Sequence, residues 1–341
     1  MPIETTTSPL KTPPTDSRAA RQFLQYFGLI ESQCVDGMSA HGPDIAGQIA
    51  RRYADTVPDD SAQLLALSAV ARAFSTLPYE NLTRIIRYSQ DRLFPFRTPE
   101  TVVADHIQHG TGGTCFSLTA ALLHVVRWLG FDAEPLLADR NYGPNTHSAL
   151  LVAIDGQPHL LDPGYLINRP VALTEIEHRG EQQLNTDFNR ILLRRDRGDD
   201  RVQLLTKSSG QADASYRLTF KTTPADTGEF LDAWQTSFSS EILHKPLLTK
   251  VSAGQQWFLN TRRLQLRGRD GTVKQQLNDQ QLFDEIVGRF GLSPRVVRQA
   301  LQILHRQGDL PKTATCEHSG LGVLPAFAMS KGAGDQEPND G

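Results

Sequence analysis

The chain has 341 residues, of which 35 are Lys or Arg and 38 are Asp or Glu, so its formal net charge is −3. At about 150 residues per domain this length predicts two or three domains. The near-neutral charge gives no basic surface for nucleic acid or for an anionic membrane. The three cysteines form no C-x-x-C pair, which argues against a disulfide framework. No secretory signal or bilayer-spanning apolar stretch is visible, so we expect a cytoplasmic protein.

The first part of the chain is predicted to be helical. Residues 1–16 are rich in Thr, Pro and Ser and are predicted to be a disordered lead-in. Residues 17–130 carry apolar side chains at helical spacing and are predicted to form a helical domain. Thr98-Pro99 marks a helix start. After the glycine-rich break at residues 110–114, a largely buried helix is predicted to run to Leu129.

After Gly130 the hydrophobic period becomes strand-like. Residues 131–235 are predicted to form mainly strands, with a two-residue hairpin turn at Asp155-Gly156. Residues 236–326 mix strand and helix patterns, and residues 327–341 are predicted to be a disordered tail. The order of helices, then strands, then a mixed end predicts a multidomain protein of the α+β class.

Cys115 is the first candidate for chemistry. It follows a Gly-Gly turn at the predicted start of a helix, where free N–H groups and the helix dipole favour a thiolate. The glycines let the backbone approach closely and leave amides free for a developing oxyanion. The alternative is a small buried apolar cysteine, the usual role of a free Cys.

A cysteine nucleophile needs a base and a group that orients the base. The two-residue turn at Asp155-Gly156 fixes the pairing register of its hairpin. The alternation of side chains then places His147 and Asp162 on one face as diagonal neighbours, and His159 on the other face. The alternatives to a catalytic pair are that Asp162 only forms the turn at the end of a strand and that His147 is an ordinary surface residue of a strand.

Two other pairs of residues have side chains that can bind a metal. His106 and His109 have an i, i+3 spacing on a predicted helix, and Cys316 and His318 lie in a polar C-terminal segment. Two ligands do not make a site. We therefore expect no metal.

Four stretches resemble motifs of the arylamine N-acetyltransferase family, and they occur in the family's order. Thr111-Gly-Gly-Thr-Cys115 resembles R-G-G-x-C around the nucleophile, and Pro78-Tyr-Glu-Asn-Leu82 resembles P-F-E-N-[LI]. The stretch around His147 resembles the one that bears the catalytic histidine. Leu161-Asp-Pro-Gly-Tyr165 resembles the D-V-G-F stretch that bears the catalytic aspartate. The resemblance covers roughly residues 20–310.

This resemblance implies a fold and an activity. The fold is an N-terminal helical bundle with the nucleophile, a central, mainly antiparallel β-barrel with the histidine and aspartate, and a C-terminal α/β lid, in a cysteine-proteinase-like Cys-His-Asp arrangement. By the resemblance, acetyl-CoA would acylate Cys115 in a ping-pong mechanism, and an arylamine or hydrazine would accept the acetyl group. His147 would move protons and Asp162 would orient it. Lys245 and Lys250 are candidate contacts for the charged end of CoA.

Two departures from the family pattern leave alternatives open. Thr111 stands where the family has an arginine, which would be expected near Glu80. Arg84 or Arg87 could take the place of that arginine. Leu166 stands where a glycine is usual in the family. An amide synthase with a larger acyl thioester is one alternative. A Cys-His-Asp hydrolase or transglutaminase-like enzyme and a non-catalytic binding protein are the others. The oligomeric state stays open.

Overall fold

A computed structural model describes residues 18–31, 42–54, 61–165, 167–186, 188–195, 199–208 and 213–311. The predicted lead-in and tail lie outside these residues, as do Cys316 and His318. The α+β class is confirmed, with helices, antiparallel sheets and a curled half-barrel. The domain boundaries given above stay predictions.

Six helices come first among the described residues. Their bounds are α1 Arg18–Tyr26, α2 Gly42–Tyr53, α3 Ala62–Phe74, α4 Leu82–Gln90, α5 Pro99–His109 and α6 Cys115–Trp128. Of these, α1 and α5 contact α6. The Thr98 hydroxyl caps α5 and Gly110, with a φ of 66°, ends it, as the sequence predicted. Because α6 is apolar on nearly every face, it is buried among its neighbours.

An eight-stranded antiparallel sheet of the described residues forms the half-barrel, in the order β5-β4-β3-β2-β9-β8-β7-β6. The strands are β2 Ala133–Arg140, β3 Gly143–Ile154, β4 Gln157–Leu161, β5 Val171–Ala172, β6 Glu181–Asn185, β7 Asn189–Arg194, β8 Arg201–Ser208 and β9 Ser215–Lys221, and α7 (Leu173–Arg179) joins β5 to β6. Asp155 and Gly156 both have positive φ, as a type I′ turn requires. Ile154 pairs with Gln157, which confirms the predicted register.

A second antiparallel sheet, which we call the C-terminal sheet, follows α8 (Thr227–Ser237). Its strands are β10 Leu247–Ser252, β11 Gln255–Asn260, β12 Arg263–Gly268 and β13 Gly271–Gln276, and α9 Asp279–Glu285 and α10 Pro294–Gln307 complete this part. α9 continues directly into a π-helical turn at Ile286–Phe290. None of the described helices has the length and apolar character needed to cross a membrane.

The C-terminal sheet contains a strand from the N-terminal part of the chain. β1 (Tyr79–Glu80) pairs antiparallel with β10, so that Glu80 lies opposite Leu248. α4 packs against α10 and contributes Ile85 to the same hydrophobic core. Residues 17–130 were predicted to be helical, and a strand of two residues is too short to produce a periodic signal.

Candidate active site

Cys115 is the first residue of α6, directly after a tightly packed loop. A Cβ on Gly112 would lie 1.7 Å from the carbonyl oxygen of Pro78. Only glycine therefore fits at this position. The N-cap residue Thr114 makes no side-chain hydrogen bond to the helix, so it leaves the first-turn N–H groups uncapped. The loop thus places the sulfur at the positive end of a helix.

β1 holds this loop on one side. The N–H of Glu80 donates to the carbonyl oxygen of Gly113 at 3.0 Å, and the N–H of Gly113 donates to that of Pro78 at 3.3 Å. The carboxylate of Glu80 is fully buried and accepts hydrogen bonds from the N–H and the hydroxyl of Thr83, at 3.0 and 2.6 Å. Glu80 therefore links the loop at residues 110–114, which we call the nucleophile loop after the candidate nucleophile Cys115, to the first turn of α4.

Arg97 holds the loop on the other side. Its Nη1 donates to the carbonyl oxygen of Gly112 at 2.5 Å and lies 3.9 Å from the carboxylate of Glu80. Its Nη2 donates to Asp105 at 3.0 Å. Arg97 thus supplies, near Glu80, the positive charge that family members carry on an arginine at the position of Thr111. The sequence did not indicate this residue, because it comes from the segment before α5.

The residues after β1 also fix the start of the C-terminal sheet. The side-chain amide of Asn81 donates to the carbonyl oxygen of Leu243 at 2.8 Å, and its oxygen accepts the N–H of Leu247 at 2.8 Å. Arg84, one of the arginines suggested for Glu80, donates to Leu243 as well, at 3.0 Å. The motif that begins at Pro78 therefore ties the nucleophile loop to the segment that enters β10.

The β3–β4 hairpin brings His147 and Asp162 together. Both side chains are fully buried, and Nε2 of His147 lies 2.8 Å from Oδ2 of Asp162. The second carboxylate oxygen accepts the N–H of Tyr165 at 2.8 Å. His159 contacts the carbonyl oxygen of Gln157 on its own strand. The carboxylate is thus held at both oxygens, with one of them on the imidazole.

Two contacts fix Cys115 relative to His147. A Cβ on Gly164 would lie 2.8 Å from the Cβ of Cys115 and 2.9 Å from Cε1 of His147, so this glycine lies against both. One turn along α6, the hydroxyl of Thr119 donates to the carbonyl oxygen of Ser148 at 3.1 Å and accepts from its hydroxyl at 3.1 Å. These buried hydrogen bonds join α6 to β3 next to the histidine.

Burial and charge act in opposite directions on this pair. Burial raises the pKa of the Cys115 thiol, but the charge of His147, aided by that of Arg140, brings it below its usual value. Burial lowers the pKa of His147, but the charges of Asp162 and Cys115 outweigh it and raise the pKa to about 9. Each group therefore favours the charged form of the other.

Arg140 is a site residue that sequence reasoning missed. It ends β2, and its Nη2 lies 3.1 Å from Nδ1 of His147. Ala138 pairs directly with His147, but the register between β2 and β3 shifts between Ala138 and Arg140. The connection at Asn141-Tyr142 also carries no Asn-Gly or Asp-Gly signature. No simple hairpin register therefore predicts the contact between Arg140 and His147.

The remaining sequence candidates make other contacts. Lys250 donates to a backbone carbonyl at 2.8 Å, and Lys245 is exposed. The ring of His106 contacts a backbone carbonyl, and that of His109 lies 3.3 Å from the hydroxyl of Ser293. Within the described part of the chain, no three His, Cys, Asp or Glu side chains form a group that could hold a metal ion.

Comparison with protein-family models gives a match over most of the chain. The model described as N-acetyltransferase matches residues 63–296, which include Cys115, His147 and Asp162. The chain belongs to the arylamine N-acetyltransferase family. This is a family of enzymes. A search of curated proteins found no match to the sequence.

Solved arylamine N-acetyltransferases share the fold. The enzyme from Mycobacterium abscessus is 18% identical with a TM-score of 0.64, over 86% of this chain and 99% of that one. The Mycobacterium marinum enzyme in complex with CoA is 20% identical with a TM-score of 0.59, over 76% and 98%. A Bacillus cereus enzyme, described with a unique Cys-His-Glu catalytic triad, is 16% identical with a TM-score of 0.57, over 81% and 98%.

Proposed function

We propose that this family member moves an acetyl group from acetyl-CoA to a small arylamine or hydrazine, through a thioester on Cys115 in a ping-pong sequence. The observation that carries the proposal is the buried hydrogen bond between His147 and Asp162, with Gly164 in contact range of both His147 and Cys115. Family membership supports it, as does the neighbour solved with CoA. Cys115 is the nucleophile, His147 the acid and base, and Asp162 the residue that orients His147.

The first half-reaction forms the acetyl-enzyme. The Cys115 thiolate attacks the thioester carbon of acetyl-CoA, the bond from that carbon to the CoA sulfur breaks, and the departing sulfur takes the proton of the His147 imidazolium. The attack gives a tetrahedral intermediate with a negatively charged oxygen. We assign the binding of this oxyanion to the first-turn N–H groups of α6, which Thr114 does not cap. The products are acetyl-Cys115, neutral His147 and free CoA.

The second half-reaction returns the enzyme to its starting state. The amine nitrogen attacks the acetyl carbon, His147 takes a proton from that nitrogen, and the bond to the Cys115 sulfur breaks. The thiolate and the imidazolium are thereby restored. Asp162 accepts the hydrogen bond from Nε2 throughout, which keeps the neutral tautomer that carries no hydrogen on Nδ1.

Intact-mass spectrometry tests the proposal. Incubation with acetyl-CoA should add one acetyl group, and addition of an arylamine should remove it. Cys115→Ala should show no addition, whereas Cys34→Ala and Cys316→Ala, as matched controls, should behave like the wild type. An adduct that persists in Cys115→Ala would refute the assigned nucleophile.

The same measurement separates the alternatives. Acylation only by a larger acyl thioester would indicate an amide synthase. Loss of the acetyl group to water as fast as to an amine would indicate a hydrolase. Absence of any adduct with every donor would favour a binding protein.

A further inference from the structure

Arg140 lies between the candidate catalytic histidine and the surface. Its Nη2 lies 3.1 Å from Nδ1 of the fully buried His147. Its Nη1 donates to the hydroxyl of Tyr142, which is 52% exposed. The guanidinium therefore extends from the buried imidazole to an exposed side chain.

Within the described part of the chain, this guanidinium has no carboxylate partner, since no Asp or Glu oxygen there lies within 4.0 Å of Arg140. Arg97, also next to the nucleophile loop, contacts both Glu80 and Asp105. A guanidinium has five N–H donors in a planar fork that fits a carboxylate. Its two polar partners here, a phenol and an imidazole, supply no negative charge.

The charge near Arg140 changes during the proposed reaction. In the free enzyme the charge of the Cys115 thiolate favours the charged form of Arg140. In the acetyl-enzyme that sulfur is part of a neutral thioester. Asp162 cannot replace it, because it binds Nε2 of His147 whereas Arg140 contacts Nδ1. The acyl-enzyme thus leaves a partly buried cation without an adjacent anion, which favours binding of a negatively charged group.

We propose that Arg140 is a specificity-determining residue that binds a carboxylate group of the substrate. This inference rests on the proposed function and narrows its substrate class. The carboxylate could belong to the acceptor, as in an aminobenzoate, or to the acyl group, as in the half-thioester of a dicarboxylic acid. Both present the same planar anion to the guanidinium fork.

Two pairs of matched substrates test the proposal. Acetyl-CoA is compared with succinyl-CoA for the rate of Cys115 acylation. Para-aminobenzamide is compared with para-aminobenzoate for the rate at which the acetyl-enzyme is consumed. We expect kcat/KM at least tenfold higher for the carboxylate member of one pair, and that pair identifies the source of the carboxylate. The ratio is the readout, because Arg140 also touches His147 and its replacement changes the absolute rates.

The variants follow from the geometry. Arg140→Gln should bring the ratio to within about threefold of one, since a neutral amide cannot pair with a carboxylate. Arg140→Lys keeps the positive charge but lacks the planar guanidinium fork, so it should give an intermediate ratio. It replaces Arg140→Gln as the test if the glutamine variant does not fold. Arg190→Gln, at an exposed position on β7, is the control and should keep the wild-type ratio. Equal rates within both wild-type pairs, or a preference that survives in the Arg140 variants, would overturn the proposal.

Failure of the proposed function gives a different result. If no donor acylates Cys115, binding to Cys115→Ala, which lacks the thiolate, replaces turnover as the readout. This variant should bind para-aminobenzoate or succinyl-CoA at least tenfold more tightly than the Cys115→Ala/Arg140→Gln double variant does. Equal binding would overturn the carboxylate site, and unequal binding would retain it although acyl transfer is refuted.

Discussion

A buried thiol and a buried imidazole each favour the neutral form when no charged group lies near them. Burial raises the pKa of Cys115 and lowers that of His147, so each charge costs free energy by itself. The charge of Asp162 raises the pKa of His147 in spite of its burial. The charge of the resulting imidazolium lowers the pKa of Cys115 in spite of its burial. The carboxylate therefore activates the sulfur without touching it.

The pH dependence of Cys115 alkylation should show this pair. Because the pKa of Cys115 is lowered, the thiolate persists below the ordinary thiol pKa of about 8.5 and is lost only as the pH falls through the lowered value. Because the pKa of His147 is raised to about 9, the imidazolium persists below that pH and is lost above it. The iodoacetamide rate should therefore form a plateau in the neutral range.

A control variant separates this pair from burial. His147→Gln removes the positive charge, so its alkylation rate at pH 6.5 should fall at least tenfold, with a profile that rises only toward alkaline pH. A wild-type profile with an ordinary thiol midpoint would contradict the ion pair.

Gly164 gives a separate prediction. A methyl group there would lie 2.8 and 2.9 Å from atoms of Cys115 and His147, so Gly164→Ala should push the two apart. Misplacement of reacting groups by about 1 Å costs on the order of 100-fold in rate, and overpacking costs about 1–3 kcal/mol of unfolding free energy. The kcat for acetyl transfer and chemical denaturation measure the two effects. Gly288→Ala, where a Cβ meets no atom within 4 Å, should change neither, and an active Gly164→Ala enzyme would contradict the packing argument.

The nucleophile loop is held between β1 and Arg97, and this arrangement explains how Thr111 is tolerated. The arginine that approaches Glu80 comes from outside the motif, and its other nitrogen pairs with Asp105. A buried carboxylate needs a nearby cation and hydrogen-bond donors. Any position in the sequence that the fold brings close to it can supply them.

Replacement of Arg97 tests this arrangement. Arg97→Ala leaves the buried Glu80 carboxylate without its nearby cation, and loss of one partner from a buried pair costs about 3–5 kcal/mol. We expect a lower unfolding free energy in chemical denaturation and slower alkylation of Cys115 at neutral pH, since the loop loses its contact at Gly112. Arg97→Lys keeps the charge and should recover part of both. Wild-type values for Arg97→Ala would refute the role of Arg97.

Local rules in the sequence predicted some elements and failed at others. The Asp155-Gly156 turn fixed the register, and the register fixed the His147–Asp162 pair, because both depend on a few neighbouring residues. The approach of Cys115 to that pair depends on how α6 packs against β3, which no local pattern encodes. Arg140 and Arg97 were missed for the same reason.

At the level of the complete chain, the nucleophile loop and the C-terminal sheet share one strand. β1 pairs with the loop at Gly113 and with β10 on the C-terminal side. Asn81 adds hydrogen bonds to the segment that enters β10. The position of Cys115 therefore depends on residues more than a hundred positions further along the chain.

This dependence has a consequence for synthesis of the protein. The ribosome releases β1 and Cys115 long before Leu247–Ser252, so on the nascent chain β1 lacks its antiparallel partner until most of the polypeptide has emerged. Contacts so distant in sequence close slowly. We therefore expect Cys115 to reach its final position late, after the hairpin that carries His147 and Asp162 has left the ribosome.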